Sequence, residues 1–216
     1  MRYNPRVMDR AGLSATLVDT LVARSENHHS AIKCAAMLFV AALTAAAAQL
    51  SVSLPFTEVP FTLQPMVVLL AGLALGSKLA VGSQLLYLAA GVLGLPVFAP
   101  SETLPPGALR LIGPTGGYLM SYPIATWLAG ALAEQEFDRH YFTSVLAMAA
   151  GLVVIYGCGA LWLAFFARSL AQTTPIGLQA ALISGVYPFI VADLLKLLAA
   201  AGISPMLWRL VGSERR

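Results

Sequence analysis

The residue types best suited to chemistry lie near the end of the chain, at Asp193-Leu-Leu-Lys196. Side chains three apart share one helix face. Both interrupt an apolar run. Charged groups inside a membrane are expensive and turn toward a cavity or toward each other. Three uses are open to the pair: an ion pair that locks its helix, a polar ligand site, or a proton relay. In a ligand site Lys196 would meet a carboxylate and Asp193 would accept N–H donors. Asp193 follows Pro188 by five residues, about 7–8 Å along a helix. That depth is the outer part of a bilayer, not its centre.

Other polar residues could join this pair. Gln84 and Tyr87 fall on one helix face, and Tyr156 stands beside Gly157 and Gly159; each is either a buried polar group satisfied by a neighbouring helix or a ligand contact. Gly113-Pro-Thr115-Gly-Gly-Tyr118 opens an apolar run. Its glycines allow close backbone approach. Free N–H groups at a helix start would suit an anionic or carbonyl group, whereas a tight turn with close helix packing uses the same residues. Ser53–Gln64 contains Pro55 and Pro60, which keep it stiff and extended. Phe56, Val59, Phe61, Thr62 and Gln64 make this loop either a lid packed on the outer face or an extension of the next helix. Asp193, Lys196, Gln84, Tyr87, Thr115, Tyr118 and Tyr156 are together enough for one small-molecule pocket.

Some chemistry has no candidate groups. There is no Gly-Lys-Ser/Thr phosphate loop and no His-Glu-x-x-His, so ATP hydrolysis and zinc proteolysis are not expected. His28, His29 and His140 lack metal-ligand spacing. Cys34 and Cys158 are too few for a disulfide framework. No inverted repeat is visible, which weakens a secondary-carrier reading.

The elements that must hold these residues follow from composition. Hydrophobic residues make up 58% and charged residues 11%, against about 25% charged in soluble domains. A soluble enzyme, a disordered chain and a nucleic-acid-binding domain are excluded. The net charge of +3 is no argument for a polyanion partner. Six runs of 19–27 residues carry no charge: 34–57, 59–77, 79–101, 111–133, 141–167 and 169–192. A bilayer-spanning helix needs about 20 such residues.

Trimmed by Pro and Gly, the predicted helices cover 33–50, 61–77, 79–94, 114–133, 142–167 and 186–208. The stretch 169–185 reads as a loop with a short surface or re-entrant helix. The fold class is all-α, integral to the membrane. With both termini inside, ten Lys and Arg fall on inner segments and two on outer loops, as the positive-inside rule requires. Residues 1–32 form a cytoplasmic extension with an amphipathic helix near 12–24, residues 33–210 the membrane domain, and 211–216 a tail. The alanine-rich first helix offers Ala42 and Ala46, four apart, for packing within the chain or for docking a membrane partner. Ala41 and Ala45 fit the same spacing.

Four motifs occur in order: Val59-Pro-Phe-Thr-Leu-Gln64, Gln84-Leu-Leu-Tyr87 leading to Gly94-Leu-Pro-Val-Phe-Ala99, Gly113-Pro-Thr-Gly-Gly-Tyr118, and Pro188-Phe-x-x-x-Asp193-Leu-Leu-Lys196. Over about 33–210 the chain resembles the BioY family, the biotin-capturing S components of energy-coupling-factor (ECF) transporters. Ile190-Val-Ala192 departs from the Leu-Pro-Gly of many members. The resemblance implies six helices, an outward biotin pocket lidded by the first loop, and a multi-pass place in a bacterial or archaeal-type plasma membrane. It implies two kinds of partner, a transmembrane coupling subunit and ABC-type ATPases, with Ala42 and Ala46 on the docking face. No cofactor is expected, and biotin is the transported ligand. Within that frame Asp193 would accept ureido N–H, a Tyr or Gln would donate to the ureido carbonyl, and Lys196 would neutralise the valerate carboxylate. Capture of another small carboxylated vitamin and ion-coupled carriage using Asp193 stay open as alternatives, as does the remoter reading of a membrane enzyme acting on a biotin-like substrate.

Overall fold

The computed structural model describes residues 16–23, 29–101, 104–167 and 176–213. Most of the predicted extension, including His28, and the end of the tail lie outside these residues. The elements run α1 (Leu17–Ala23), α2 (His29–Gln49), β1 (Ser51–Val52), β2 (Phe61–Thr62), α3 (Gln64–Val92), α4 (Leu109–Ile112), α5 (Gly116–Ala133), α6 (Tyr141–Phe165), α7 (Leu178–Gly185), α8 (Tyr187–Ala201) and α9 (Ile203–Ser213). Among the described residues, four helical stretches are long and apolar enough to cross a membrane: α2, α3, α6 and the tandem Tyr187–Leu210. Large apolar side chains such as Phe39, Phe142, Val153 and Leu195 point away from the protein. In a chain this apolar, that surface is suited to lipid.

The spans expected at 61–77 and 79–94 emerge as α3, which is bent back on itself. Gly76 interrupts it at φ 75°, ψ 174°, a left-handed conformation that glycine adopts at little steric cost. Gln64 Nε2 donates to Tyr87 Oη at 2.7 Å, across 23 positions of sequence. In a straight helix those residues would stand about 35 Å apart, so the arms 64–75 and 77–92 form a hairpin. The second arm starts with unsatisfied N–H groups. Glu134 satisfies one of them, its Oε1 accepting from Ser77 N at 2.8 Å and from Ser77 Oγ at 2.7 Å.

The expected span at 186–208 is likewise divided, by a turn at Gly202 between α8 and α9. Pro188 occupies the first turn of α8, where a missing N–H does no harm. The stretch read as a loop with a short helix carries α7, and residues 168–175 lie outside the described residues. The amphipathic segment expected near 12–24 contributes α1, whose Val18 and Val22 pack with Val40, Ala71, Leu75 and Ala80.

Helix α5 lies in the middle of the bundle, against α3 and α6, and its Ala125, Thr126 and Ala129 are fully buried. Small residues permit this close packing. A Cβ at Gly130 would stand 2.4 Å from Ser77 N and 2.6 Å from Gly76 C, both backbone atoms. We expect Gly130→Val to destabilise the protein by about 1–3 kcal/mol through overpacking. A melt in detergent checks this, and an unchanged melting temperature would contradict the close crossing. Near the same end, Trp208 Nε1 donates to buried Asp138, and the Arg139 guanidinium lies 3.4 Å from the centre of the Trp208 ring. Burial pushes the Asp138 carboxyl above its ordinary range, against the Trp208 hydrogen bond and the Arg139 charge.

Candidate functional site

At the opposite end of the α3 hairpin from Gly76 lies a cavity of about 420 Å³, within the roughly 300–1,000 Å³ of small-molecule sites. One wall is the segment from Ser53 to Gln64, held at its base where β1, just before it, pairs with β2, Ser51 opposite Thr62 and Val52 opposite Phe61. The start of α5 supplies Thr115, Tyr118 and Tyr122, α6 supplies Tyr156, and α8 supplies Phe189 and Asp193. Phe98, Ala99, Pro100, Ser101 and Leu104, with Arg110 of α4, close the remaining side.

Asp193 is the polar focus. It is 6% exposed. Its Oδ2 accepts from the Tyr156 hydroxyl at 2.7 Å and its Oδ1 from Lys196 Nζ at 2.7 Å. Each carboxylate oxygen has two lone pairs, so Asp193 retains capacity to accept N–H groups from the cavity. Tyr118 lies beside it and spends its O–H on Gly185 O at 2.7 Å, a carbonyl that the end of α7 leaves without a helical partner.

The candidate residues divide into several groups. Asp193, Thr115, Tyr118 and Tyr156 line the cavity, as do Val59, Phe61, Thr62 and Gln64 of the loop. Phe56 is instead 61% exposed and faces an adjoining groove against α6 and α7. Gln84 is fully buried away from the cavity, its Nε2 donating to Thr44 Oγ1 and Ser83 Oγ at 3.3 Å each. Tyr87 sits under the floor, accepting from Gln64 and packed edge-on against Phe98. The shared face of Gln84 and Tyr87 is real, but it turns into the bundle.

Lys196 is not among the lining groups, and its ammonium is directed to the protein. It donates to Thr62 O at 2.7 Å and to Asp193. The glycines at 116 and 117 serve packing. A Cβ at Gly117 would meet Trp162 Cβ at 2.1 Å, and Trp162 Nε1 donates to Gly113 O at 2.9 Å. Ala42 and Ala46 are exposed on α2, whereas Ala41 and Ala45 pack against the core.

Sequence reasoning missed Arg110, Phe98, Tyr122 and Phe189. Arg110 is the instructive case. Its Nε donates to Pro105 O at 3.1 Å and its Nη1 to Ala99 O at 2.9 Å, while the guanidinium forms part of the cavity wall. Burial lowers its affinity for the proton from the ordinary arginine value, yet arginine stays charged in proteins. Its only advance signal was being a lone cation in an outer loop.

A family model described as "BioY family" matches residues 21–213. The chain belongs to the BioY family. It is 45% identical over 170 residues to a protein of Pyrococcus horikoshii named "Probable biotin transporter BioY", covering 79% of this chain and 91% of that one. It is 35% identical over 159 residues to the "Biotin transporter BioY" of Thermotoga maritima, covering 74% and 86% respectively. Among solved structures, the "S-component for biotin from an ECF-type ABC transporter" superposes with a TM-score of 0.73 at 26% identity, covering 86% of this chain and 95% of that one. BioY membership and the long apolar helices make this chain a multi-pass membrane protein.

Proposed function

We propose that this chain is a biotin-capturing membrane subunit that works with an ECF energising module and catalyses no reaction itself. The observation that carries the reading is the cavity in which Asp193 and Tyr156 face Arg110 and an aromatic wall, in a chain of the BioY family. Biotin needs acceptors for two ureido N–H groups, a donor for the ureido carbonyl, apolar walls for its sulfur ring, and a cation for its carboxylate. Asp193 accepts the N–H groups, and Phe189 and Tyr122 supply wall. The valerate carboxylate goes to Arg110, the one cation among the described residues that line the cavity, in place of Lys196. The α3 hairpin supplies two crossings, so the bundle crosses six times with both termini inside, and the proline-stiffened segment 53–60 serves as the outer lid. ATP hydrolysis belongs to the partner ATPases, and a coupling subunit docks on the lipid-facing side of α2.

The direct test is binding of labelled biotin to the purified protein in detergent, with unlabelled biotin and pantothenate as separate competitors. Biotin alone should compete. Competition by pantothenate, or no binding by folded protein, would overturn the substrate. Arg110→Gln should weaken biotin at least tenfold, about 1.4 kcal/mol, and leave the uncharged biotin carboxamide within threefold of the unsubstituted protein. Equal losses for acid and amide would remove Arg110 from the carboxylate.

A further inference from the structure

Strands β1 and β2 are two residues each. Two-stranded ladders are marginal in water even when longer, so the hairpin wall of the cavity needs an anchor elsewhere. The contacts of Lys196 identify one. Its ammonium has three donors and no acceptor. One goes to Thr62 O on β2 at 2.7 Å and one to Asp193 Oδ1 at 2.7 Å. The same ammonium lies 3.4 Å from the centre of the Phe61 ring, within cation–π range. Phe61 in turn stacks on Phe189 of α8, the ring centres 6.3 Å apart. Two consecutive residues of β2 are thereby held by one side chain of α8. The Lys196 side chain is 14% exposed and, unlike Asp193, is not among the groups that line the cavity.

We infer that Lys196 is a positioning residue: it fastens β2 to α8 and so holds the hairpin wall of the cavity, and it does not neutralise the ligand carboxylate. This deepens the biotin reading and rests on it for the nature of the ligand, but the tether itself does not depend on the ligand.

Two measurements separate the alternatives. The first compares biotin with biotin carboxamide on Lys196→Met. A tether lost through substitution weakens both ligands by the same factor, at least tenfold. A loss confined to biotin, with the carboxamide unaffected, would place the ammonium on the ligand carboxylate and overturn the inference. The second is amide hydrogen exchange of peptides covering 51–63 in ligand-free protein. Exchange should accelerate at least tenfold in Lys196→Met and return toward the original rate in Lys196→Arg, which keeps a cation able to reach Thr62 O. Unchanged exchange in Lys196→Met would also overturn the inference. If Lys196→Met leaves Asp193 unpaired and fails to fold, the charge-balanced double variant Asp193→Asn with Lys196→Met gives the exchange result instead. If the unsubstituted protein binds neither ligand, the biotin reading fails and the exchange measurement still decides the tether.

Discussion

Asp193→Asn is expected to weaken biotin by at least tenfold, about 1.4 kcal/mol, and Asp193→Ala by more. Asparagine keeps the size of the side chain and removes its charge. Lys196 then has no counter-charge in a nearly buried position, where its ammonium now sits 2.7 Å from Asp193 Oδ1. Breaking one half of a buried pair is costlier than the pair was worth. The cavity also loses an acceptor able to serve ligand N–H groups while holding the Tyr156 hydroxyl at 2.7 Å. Tyr156→Phe, which deletes that hydrogen bond to a carboxylate alone, should cost about 1.5–3 kcal/mol. Titration calorimetry with biotin reads the affinities, and size-exclusion profiles show that the variants are folded. Full affinity in folded Asp193→Asn would remove Asp193 from the ligand site and leave the pair a purely structural lock.

Ala42→Trp and Ala46→Trp should each abolish co-purification with the ECF coupling subunit while leaving biotin affinity within twofold. Both alanines are exposed on α2, and neither borders the cavity. Small residues four apart let another helix approach closely, and an indole on that face holds it away. The alternative register makes a matched control. Ala41 and Ala45 pack toward the core, so tryptophan there should damage folding and biotin binding together. Normal co-purification with both outward variants would refute docking on this face. Loss of biotin binding in them would instead mean that α2 bears on the cavity.

The shared helix face of Asp193 and Lys196 was legible in advance because three-residue spacing fixes it locally, and their ion pair at 2.7 Å is one of the three uses the spacing left open. The pairs that define the cavity are of another kind. Thr62 O meets Lys196 across 134 positions, and Tyr156 meets Asp193 across 37. No periodicity reports such partners. Gln84 and Tyr87 show the limit from the other side. Their shared face was readable, but whether it turned to a ligand or to Thr44 and Gln64 depended on where α2 and the first arm of α3 came to lie.

By itself the sequence determined the class of the protein. Its charge-poor composition and long uncharged runs leave a membrane as the only suitable solvent, because so apolar a surface cannot be covered in water. Four ordered motifs determined the BioY resemblance, and Pro188 and the Gly-Pro-Thr-Gly-Gly run located helix starts, since proline and glycine act on the backbone within a residue or two. Tertiary structure decided which groups face the cavity. Lys196 and Arg110 are both single cations near outer segments. One ammonium is taken up by Asp193, Thr62 and Phe61, whereas the other cation, held by two loop carbonyls, stands in the cavity wall. It decided equally that α3 folds back at Gly76 and that Ala42, not Ala41, faces outward. The physical reason is the same in each case. A buried polar group is directed by the partner that satisfies it, and in a bundle that partner comes from another helix.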